Sequence, residues 1–488
     1  MNARKIILTD RYSAYTCTFC EPITMMIWEE VMKKFISGIL VLASLLLMIT
    51  MSGCSEKNEP VVTTHLLRIG ILSDTHINAD TRHNMYERLE KALMFFKQKG
   101  VDGVLITGDL QDQFDLESGK DAMAELQDIW QQVFPNNIND LTGEPVEPMF
   151  IYGNHDEALV EAQYWFDGIG SEYEDAWIKE IKGYQFVGVH YTKESGTLTQ
   201  KLLKQAQEAS GEKPWFFAQH VPMKDTVIGG MGSYDGHRFP IQSAVKKSSN
   251  CVVFTGHTHI PITDERCIWQ PGSKRDAQCT VISCGTQHYS YLKDFSELEI
   301  NGDDHQTQQG MYMIVDGSQV TLERYSFTDM ELTYSNGVGQ INMDDAKMIG
   351  VPWVFDASQK ENRVYDYEHR AEAAQQPEFP EGAALEITEL TETTVTVKIP
   401  AATVEAPEGF SDLVQSYCVE LIDTQNGEVV DKVEVAAPYH IDTEPSNLNQ
   451  PVTVKLNGLE SEKAYTLMVY ARECYQKASE PLTIEVAN

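Results

Sequence analysis

From Leu66 onward, short apolar runs alternate with amphipathic stretches. LLRIGILSD (66–74) is apolar on both alternating faces, as a buried strand requires. Met85, Leu89, Ala92, Leu93 and Phe96 then recur at helical spacing, and Gly100 ends that helix. VDGVLITGD (101–109) reads as a second strand, residues 118–134 as a second helix and PMFIYGNHD (148–156) as a third strand. This βαβαβ order predicts a sheet with helices packed on it. Strands follow in YQFVGVH (184–190), PWFFAQH (214–220), CVVFTGH (251–257) and TVISCG (280–285), with a helix at 198–209. Residues 311–327 read as a hairpin around Gly317.

Near residue 376 the pattern changes. Gln-Gln-Pro-Glu-Phe-Pro-Glu-Gly (375–382) reads as a linker, and only strand-like runs follow, from ALEITEL to AYTLMVYARE. Their spacing predicts a small antiparallel β-sandwich. Within it LESEKAYTLMVYAR (459–472) resembles the fibronectin type III pattern, where a Leu precedes a Tyr-bearing strand. A module of that kind would serve as a spacer or contact glycan or protein.

The opposite end carries one unbroken apolar run, Phe35 to Met51, after Lys33 and Lys34 and before Ser52-Gly53-Cys54. A basic start, an apolar core and small residues before a cut make a secretory signal. The Ser-Gly-Cys ending resembles the bacterial lipoprotein signal, with Met51 where that family usually has Leu. The resemblance implies cleavage before Cys54, lipid on Cys54 and a membrane-anchored, extracytoplasmic protein translated from Met32. An uncleaved anchor is the other reading, since 17 residues are at the short limit for a span. The expected organisation is thus a 1–59 extension and signal, a 60–375 α/β domain and a 376–488 β-sandwich.

Composition adds two constraints. The 488 residues are 42% hydrophobic and 23% charged, as in a globular protein, and the formal charge is −35. So negative a chain is not expected to coat nucleic-acid phosphates, which need Lys and Arg to displace counterions. After Cys54, six cysteines remain, and export permits disulfides. The pattern allows Cys418–Cys474 and Cys267–Cys279 pairs, while Cys251 and Cys284 suit buried thiols; connectivity is not written in sequence.

The chemistry gathers at strand ends. Asp74-Thr-His76, Gly108-Asp109, Gly153-Asn154-His155-Asp156, His220 and Gly256-His257-Thr-His259 each close a predicted strand. Open α/β sheets place ligand sites at that end. Carboxylate, imidazole and amide oxygen are donors for borderline transition metals, and no cysteine joins them, unlike a zinc finger. Taken singly, each piece is ordinary turn or capping chemistry.

Taken in order, D-x-H, G-D, G-N-H-D, a lone His and G-H-x-H resemble the calcineurin-like metallophosphoesterases over residues 66–330. The resemblance implies a four-layer αββα sandwich with two divalent or trivalent metal ions, Mn, Fe or Zn. It assigns Asp74, His76 and His259 to one ion, Asn154, His220 and His257 to the other, and Asp109 to both. Metal-bound hydroxide would attack a phosphate ester, with His155 facing the substrate and Asp156 orienting its imidazole. His190 and His288 are further candidates at strand ends, and Tyr234 and His237 lie in a loop suited to specificity. The expected function is an exported phosphoesterase for a small phosphorylated substrate, leaning to diesters or nucleotides. A phosphomonoesterase and a non-catalytic surface binding protein on the same scaffold are the alternatives.

Overall fold

Burial on both faces dictates where the strands lie. A computed structural model describes residues 66–487 apart from 79–81, 114, 165–172, 193–195, 230–243, 273–277, 291–306, 360–362 and 442. The first half runs β1 (Leu67–Leu72), α1 (Arg82–Lys99), β2 (Gly103–Ile106), α2 (Leu116–Val133), β3 (Glu147–Phe150) and α3 (Glu157–Glu161). Next come β4 (Ala176–Ile181), β5 (Tyr184–Val189), α4 (Gly196–Ser210), β6 (Trp215–Ala218), β7 (Cys251–Thr255), β8 (Ile268–Trp269) and β9 (Thr280–Ser283). The hairpin β10 (Gln309–Asp316) and β11 (Gln319–Ser326) turns at Gly317 and is followed by β12 (Lys347–Met348), β13 (Trp353–Asp356) and α5 (Tyr367–Ala373).

These strands build two sheets. One runs β12-β11-β10-β1-β2-β3, with β13 also on β11; its β1, β2 and β3 are parallel. The other runs β8-β9-β7-β6-β5-β4, parallel from β9 to β5. Ile69, Ile71, Leu105 and Met149 of the first sheet share a core with Phe186, Phe216, Phe254 and Ile282 of the second. The first sheet's other face, with Val104 and Ile106, packs under Leu89, Phe96, Met123 and Trp130 of α1 and α2. The second sheet's other face, with Val187, Phe217 and Val253, packs under Leu202, Leu203 and Ala206 of α4. The result is the expected four-layer αββα arrangement. Each fully buried Leu, Ile or Phe contributes roughly 1.5–3 kcal/mol to it.

The strands end earlier than the apolar runs suggest. β1 stops at Leu72, β2 at Ile106 and β7 at Thr255. Beyond them Asp74, Asp109 and His257 have φ of 51°, 49° and 72°, which no strand accommodates. β4 was not anticipated: it is an edge strand carrying Lys179 and Glu180, so its apolar pattern is broken.

The C-terminal region is all-β but for short helical turns. β14 (Glu386–Leu390), β15 (Thr394–Ile399), β16 (Val414–Asp423), β17 (Val429–Ala436), β18 (Val452–Asn457), β19 (Ala464–Glu473) and β20 (Leu482–Ala487) form two antiparallel sheets. Their orders are β14-β15-β18 and β17-β16-β19-β20. Val395, Val397, Tyr417, Val419, Leu456, Leu467 and Val469 fill the space between them. Residues Thr64–Asn488 make one compact unit.

Neither allowed disulfide forms. All six described cysteines are buried thiols. Cys418 lies among Lys432, Arg472 and Glu434, whereas Cys474 lies near Asp264, Arg266 and Asp412, so the two point to different surroundings. Cys267 instead directs its thiol to the Pro261 carbonyl at 3.5 Å. Cys54, the expected lipid site, and the whole signal lie outside the described residues.

Candidate metal centre

Five loops meet where the parallel strands end. The Asp74 N–H donates to Gly108 O at 3.0 Å and the His76 N–H to Asp109 O at 3.0 Å, extending the β1–β2 pairing past the strands. His155 N–H donates to Asp109 Oδ1 at 2.9 Å, tying in the loop after β3. Across the sandwich, His257 N–H donates to the Asp74 carboxylate at 3.1 Å, and Gly256 N–H donates to His220 O at 2.8 Å. Loops of both sheets are thereby laced together around one point.

Special backbone makes the convergence possible. Asp74, His76, Asp109, His257 and His259 all have positive φ, between 43° and 72°. For non-glycine residues this conformation is uncommon and costly, and it clusters at functional sites. Gly108 has φ of 107°, and a Cβ there would collide with the His220 ring. Gly153 is needed for close approach, because a Cβ there would collide with the Asp109 carboxylate.

The donor atoms form two overlapping groups. In the first, His259 Nε2 is 3.1 Å from Asp74 Oδ1 and 3.0 Å from His76 Nε2, which is 3.7 Å from Asp109 Oδ2. In the second, His220 Nε2 is 3.0 Å from both Asp109 Oδ2 and Asn154 Oδ1, and His257 Nδ1 is 2.8 Å from Asn154 Oδ1. Asp109 belongs to both. All seven residues expected as ligands are therefore brought together; His76, Asp74, Asp109, His220 and His259 are buried, and Asn154 and His257 partly so.

The ring tautomers suit metal binding. His220 Nδ1 lies 2.9 Å from Thr107 O and His259 Nδ1 lies 2.9 Å from Tyr289 O. A carbonyl only accepts, so each Nδ1 carries a proton and each Nε2 faces the cluster, where it offers a lone pair once deprotonated. Imidazole nitrogens thus lie 3.0–3.1 Å from carboxylate and amide oxygens at the middle of the site. That donor set fits a divalent cation.

Charges follow the same geometry. Burial works against an ionised Asp109, yet His220, His76 and His155 hold its carboxyl well below the usual range. Burial lowers His220 but Asp109 wins, pushing it up to about 9. Burial and the neighbouring His220 push His257 down to about 4.

One expected role changes hands. Asp156 does not act as the orienting carboxylate for His155. Its side chain accepts backbone N–H bonds from Gly153 at 2.7 Å, Leu110 at 3.1 Å and Gln111 at 3.2 Å, so it anchors the loops after β2 and β3. The orienting carboxylate is Asp112, whose Oδ1 is 2.6 Å from His155 Nδ1 and 3.8 Å from His76 Nδ1. The bond to Asp112 raises the His155 pKa although burial lowers it. Asp112 was missed; its signal was a second acid three residues after Asp109 in GDLQD.

The remaining candidates divide. His288 approaches the cluster, its ring centroid 5.5 Å from that of His76 and its Nδ1 buried without a partner. His190 sits behind the site: its Nδ1 accepts from Tyr152 N at 2.8 Å, and its ring stacks on Tyr173. Tyr234 and His237 lie outside the described residues. A concavity of about 460 Å³ opens beside His155 and Asn154, lined further by Gln113, Glu157, Ala158 and Glu161.

One family model and several solved structures are similar to this chain. No curated protein matches the chain. Among solved structures, the chain is similar to a dimetal phosphatase from Danio rerio, with 11% identity over 58% of this chain and 98% of the other and a TM-score of 0.36. It is also similar to a purple acid phosphatase from yellow lupin (Lupinus luteus) seeds, with 16% identity over 57% and 53% of the two chains and a TM-score of 0.38. The family model of the calcineurin-like phosphoesterases matches residues 67–261, the stretch that supplies all seven clustered donors, and these residues form a calcineurin-like phosphoesterase domain.

Proposed function

We propose that this protein is a metal-dependent hydrolase of small phosphate esters, of the phosphodiester or nucleotide kind, with a dinuclear centre. The observation that carries this reading is the meeting of seven donor side chains, from loops of two sheets, with their acceptor atoms turned inward. Asp74, His76, Asp109 and His259 would hold one ion, and Asp109, Asn154, His220 and His257 the other. Nitrogen and oxygen donors of this kind suit Mn, Fe or Zn. When bound, such ions acidify a water and offset charge on phosphoryl oxygens.

The chain's own groups do the rest. His155, bound through Nδ1 to Asp112, presents Nε2 as the atom that hands a proton to the leaving oxygen or steadies the phosphoryl group. Asp112 keeps that imidazole protonated to higher pH than it would otherwise be. Asp156 fixes the loop that carries Asn154 and His155 by gathering its amides. The lipoprotein-like ending at Cys54 supports an exported, membrane-anchored enzyme that scavenges phosphate from organic phosphates outside the cytoplasm. The spacing of the last strands supports a fibronectin type III-like reading of residues 376–488.

The test is turnover of para-nitrophenyl phosphate and bis-para-nitrophenyl phosphate by the full chain given Mn, Zn or Fe. Diester turnover abolished by Asp109→Asn is the expected result. Turnover mainly of the monoester would make it a phosphomonoesterase. Two bound ions without turnover of either ester would point to a narrower substrate. No bound metal and no turnover would leave a binding protein on this scaffold.

A further inference from the structure

The segment that leaves the candidate centre after His259, before it enters β8, is bonded to the C-terminal β-region by buried polar groups. Gln415 Nε2 donates to Asp264 Oδ2, and Arg266 Nη2 donates to Gln415 Oε1 at 3.3 Å. Thr263 Oγ1 is 2.6 Å from His440 Nδ1, and His440 Nε2 is 3.1 Å from Val414 O. The carbonyl can only accept, so Nε2 carries the ring proton and Nδ1 accepts from the Thr263 hydroxyl. Burial holds His440 below its ordinary pKa and keeps it neutral. Gln309 adds a bridge: its Oε1 accepts from Ile262 N at 2.9 Å and its Nε2 donates to Thr443 Oγ1 at 2.7 Å. Thr263, Asp264, Gln309, Gln415, His440 and Thr443 are each at most 2% exposed.

Buried polar atoms are costly unless paired. Here each partner comes from a different part of the fold, so the pairing specifies one position for residues 262–264. That position matters because His257 and His259 have φ of 72° and 51°, conformations that persist only where surrounding structure over-determines them. On one side they are held by Asp74 and Tyr289 O. On the other, four residues beyond His259, the fixed point is Thr263.

We propose that the C-terminal β-region is a positioning element of the metal centre. Through Gln415, His440 and Thr443 it clamps Ile262–Asp264 and so keeps His257 and His259 in ligand geometry. This rests on the reading of those two histidines as ligands and replaces the expected role of the region as a spacer. Groups that orient metal ligands from behind typically alter metal affinity by about 10–100-fold when changed.

The test uses the full chain and cobalt(II), with Thr263→Val, Thr263→Ser and Gln415→Leu. Thr263→Val keeps the shape and removes the hydroxyl; Thr263→Ser keeps the hydroxyl. Cobalt affinity is measured by competition with a chelator, the visible spectrum of bound cobalt reports ligand geometry, and kcat, KM and Tm are taken alongside. Thr263→Val and Gln415→Leu are expected to weaken cobalt binding about tenfold or more and to alter the spectrum. They should lower kcat more than they raise KM, in protein that still melts cooperatively. Thr263→Ser should retain the wild-type affinity and spectrum. Wild-type affinity and spectrum in Thr263→Val would overturn the proposal, as would equal loss in Thr263→Ser and Thr263→Val. A wild-type chain that binds no cobalt would instead overturn the reading of the site itself, so the two failures are distinct.

Discussion

A carboxylate 2.6 Å from an imidazole decides at what pH that imidazole gives up its proton. Asp112 holds His155 protonated above the ordinary histidine range, so an acid role for His155 survives to higher pH. Replacing His155 by Gln should lower kcat by about 10²–10⁴-fold. Asp112→Asn should act differently. A general acid works while protonated, and activity falls as pH rises through its pKa. Without the Asp112 charge that pKa drops, so the alkaline fall in kcat/KM should begin at lower pH. An unmoved alkaline limb in Asp112→Asn would separate Asp112 from the chemistry. Proton release offers a second check. His220, pushed up to about 9 beside Asp109, is protonated at neutral pH without metal, so metal uptake must displace that proton. Calorimetric titration at pH 7 in buffers of different ionisation enthalpy should show at least one proton released per ion pair, and Asp109→Asn should remove both the uptake and the release. The ligands were legible in sequence because metal chemistry demands particular residue types at strand ends. Asp112 was not, because its use depends on where the loop beyond β2 runs. That course is set by the Ile77–Gln111 bridge and by Asp156 gathering the Leu110 and Gln111 amides. Chain adjacency made Asp156 the obvious partner of His155, but adjacency does not determine where a side chain points.

At the scale of elements, strands deliver the site and glycines let the loops meet. A parallel sheet buried on both faces reads as short apolar runs, which is why β1, β2, β3, β6 and β7 were legible with the polar motif at each end. The precise strand ends were not, since left-handed φ at Asp74 or His257 has no residue signature of its own. The edge strand β4 was invisible because solvent at an edge tolerates Lys179 and Glu180 where a central strand would not. Gly108 shows how narrow the fit is. Its φ of 107° is strained for any side chain, and a Cβ would meet the His220 ring. Gly108→Ala should therefore cost about 1–3 kcal/mol in stability and displace His220. The expected readout is a lower Tm together with loss of one of two bound ions. Full metal content in Gly108→Ala would show that His220 has more room than its surroundings suggest.

At the scale of the molecule, the question is whether the αββα sandwich and the β-region unfold together. A tethered accessory module would melt separately. Here the join is built from buried ion pairs and amides rather than from a solvated hinge. Across it Arg370 is paired with Asp412, and Gln415 is bonded to both Asp264 and Arg266, which are themselves paired at 2.9 Å. Breaking one partner of a buried pair costs about 3–5 kcal/mol because the other charge stays behind unpaired. Asp264→Asn should accordingly lower the stability of the whole unit by about 3 kcal/mol, roughly 3–4 °C in Tm for a unit this long. Calorimetry should show a single transition displaced downward, not a second peak for residues 376–487. The pH dependence fixes the sign. Burial opposes ionisation of Asp264, but Arg266 prevails and lowers its pKa from 3.8 in the folded state. Its contribution is therefore complete above that value and is lost as pH falls through the lower folded one. Measured on chelated protein, where metal loss cannot contribute, wild type should lose stability below about pH 4 more steeply than Asp264→Asn. The two curves should converge at the acid end, because protonation has by then removed from the wild type the same charge that the substitution removes at every pH.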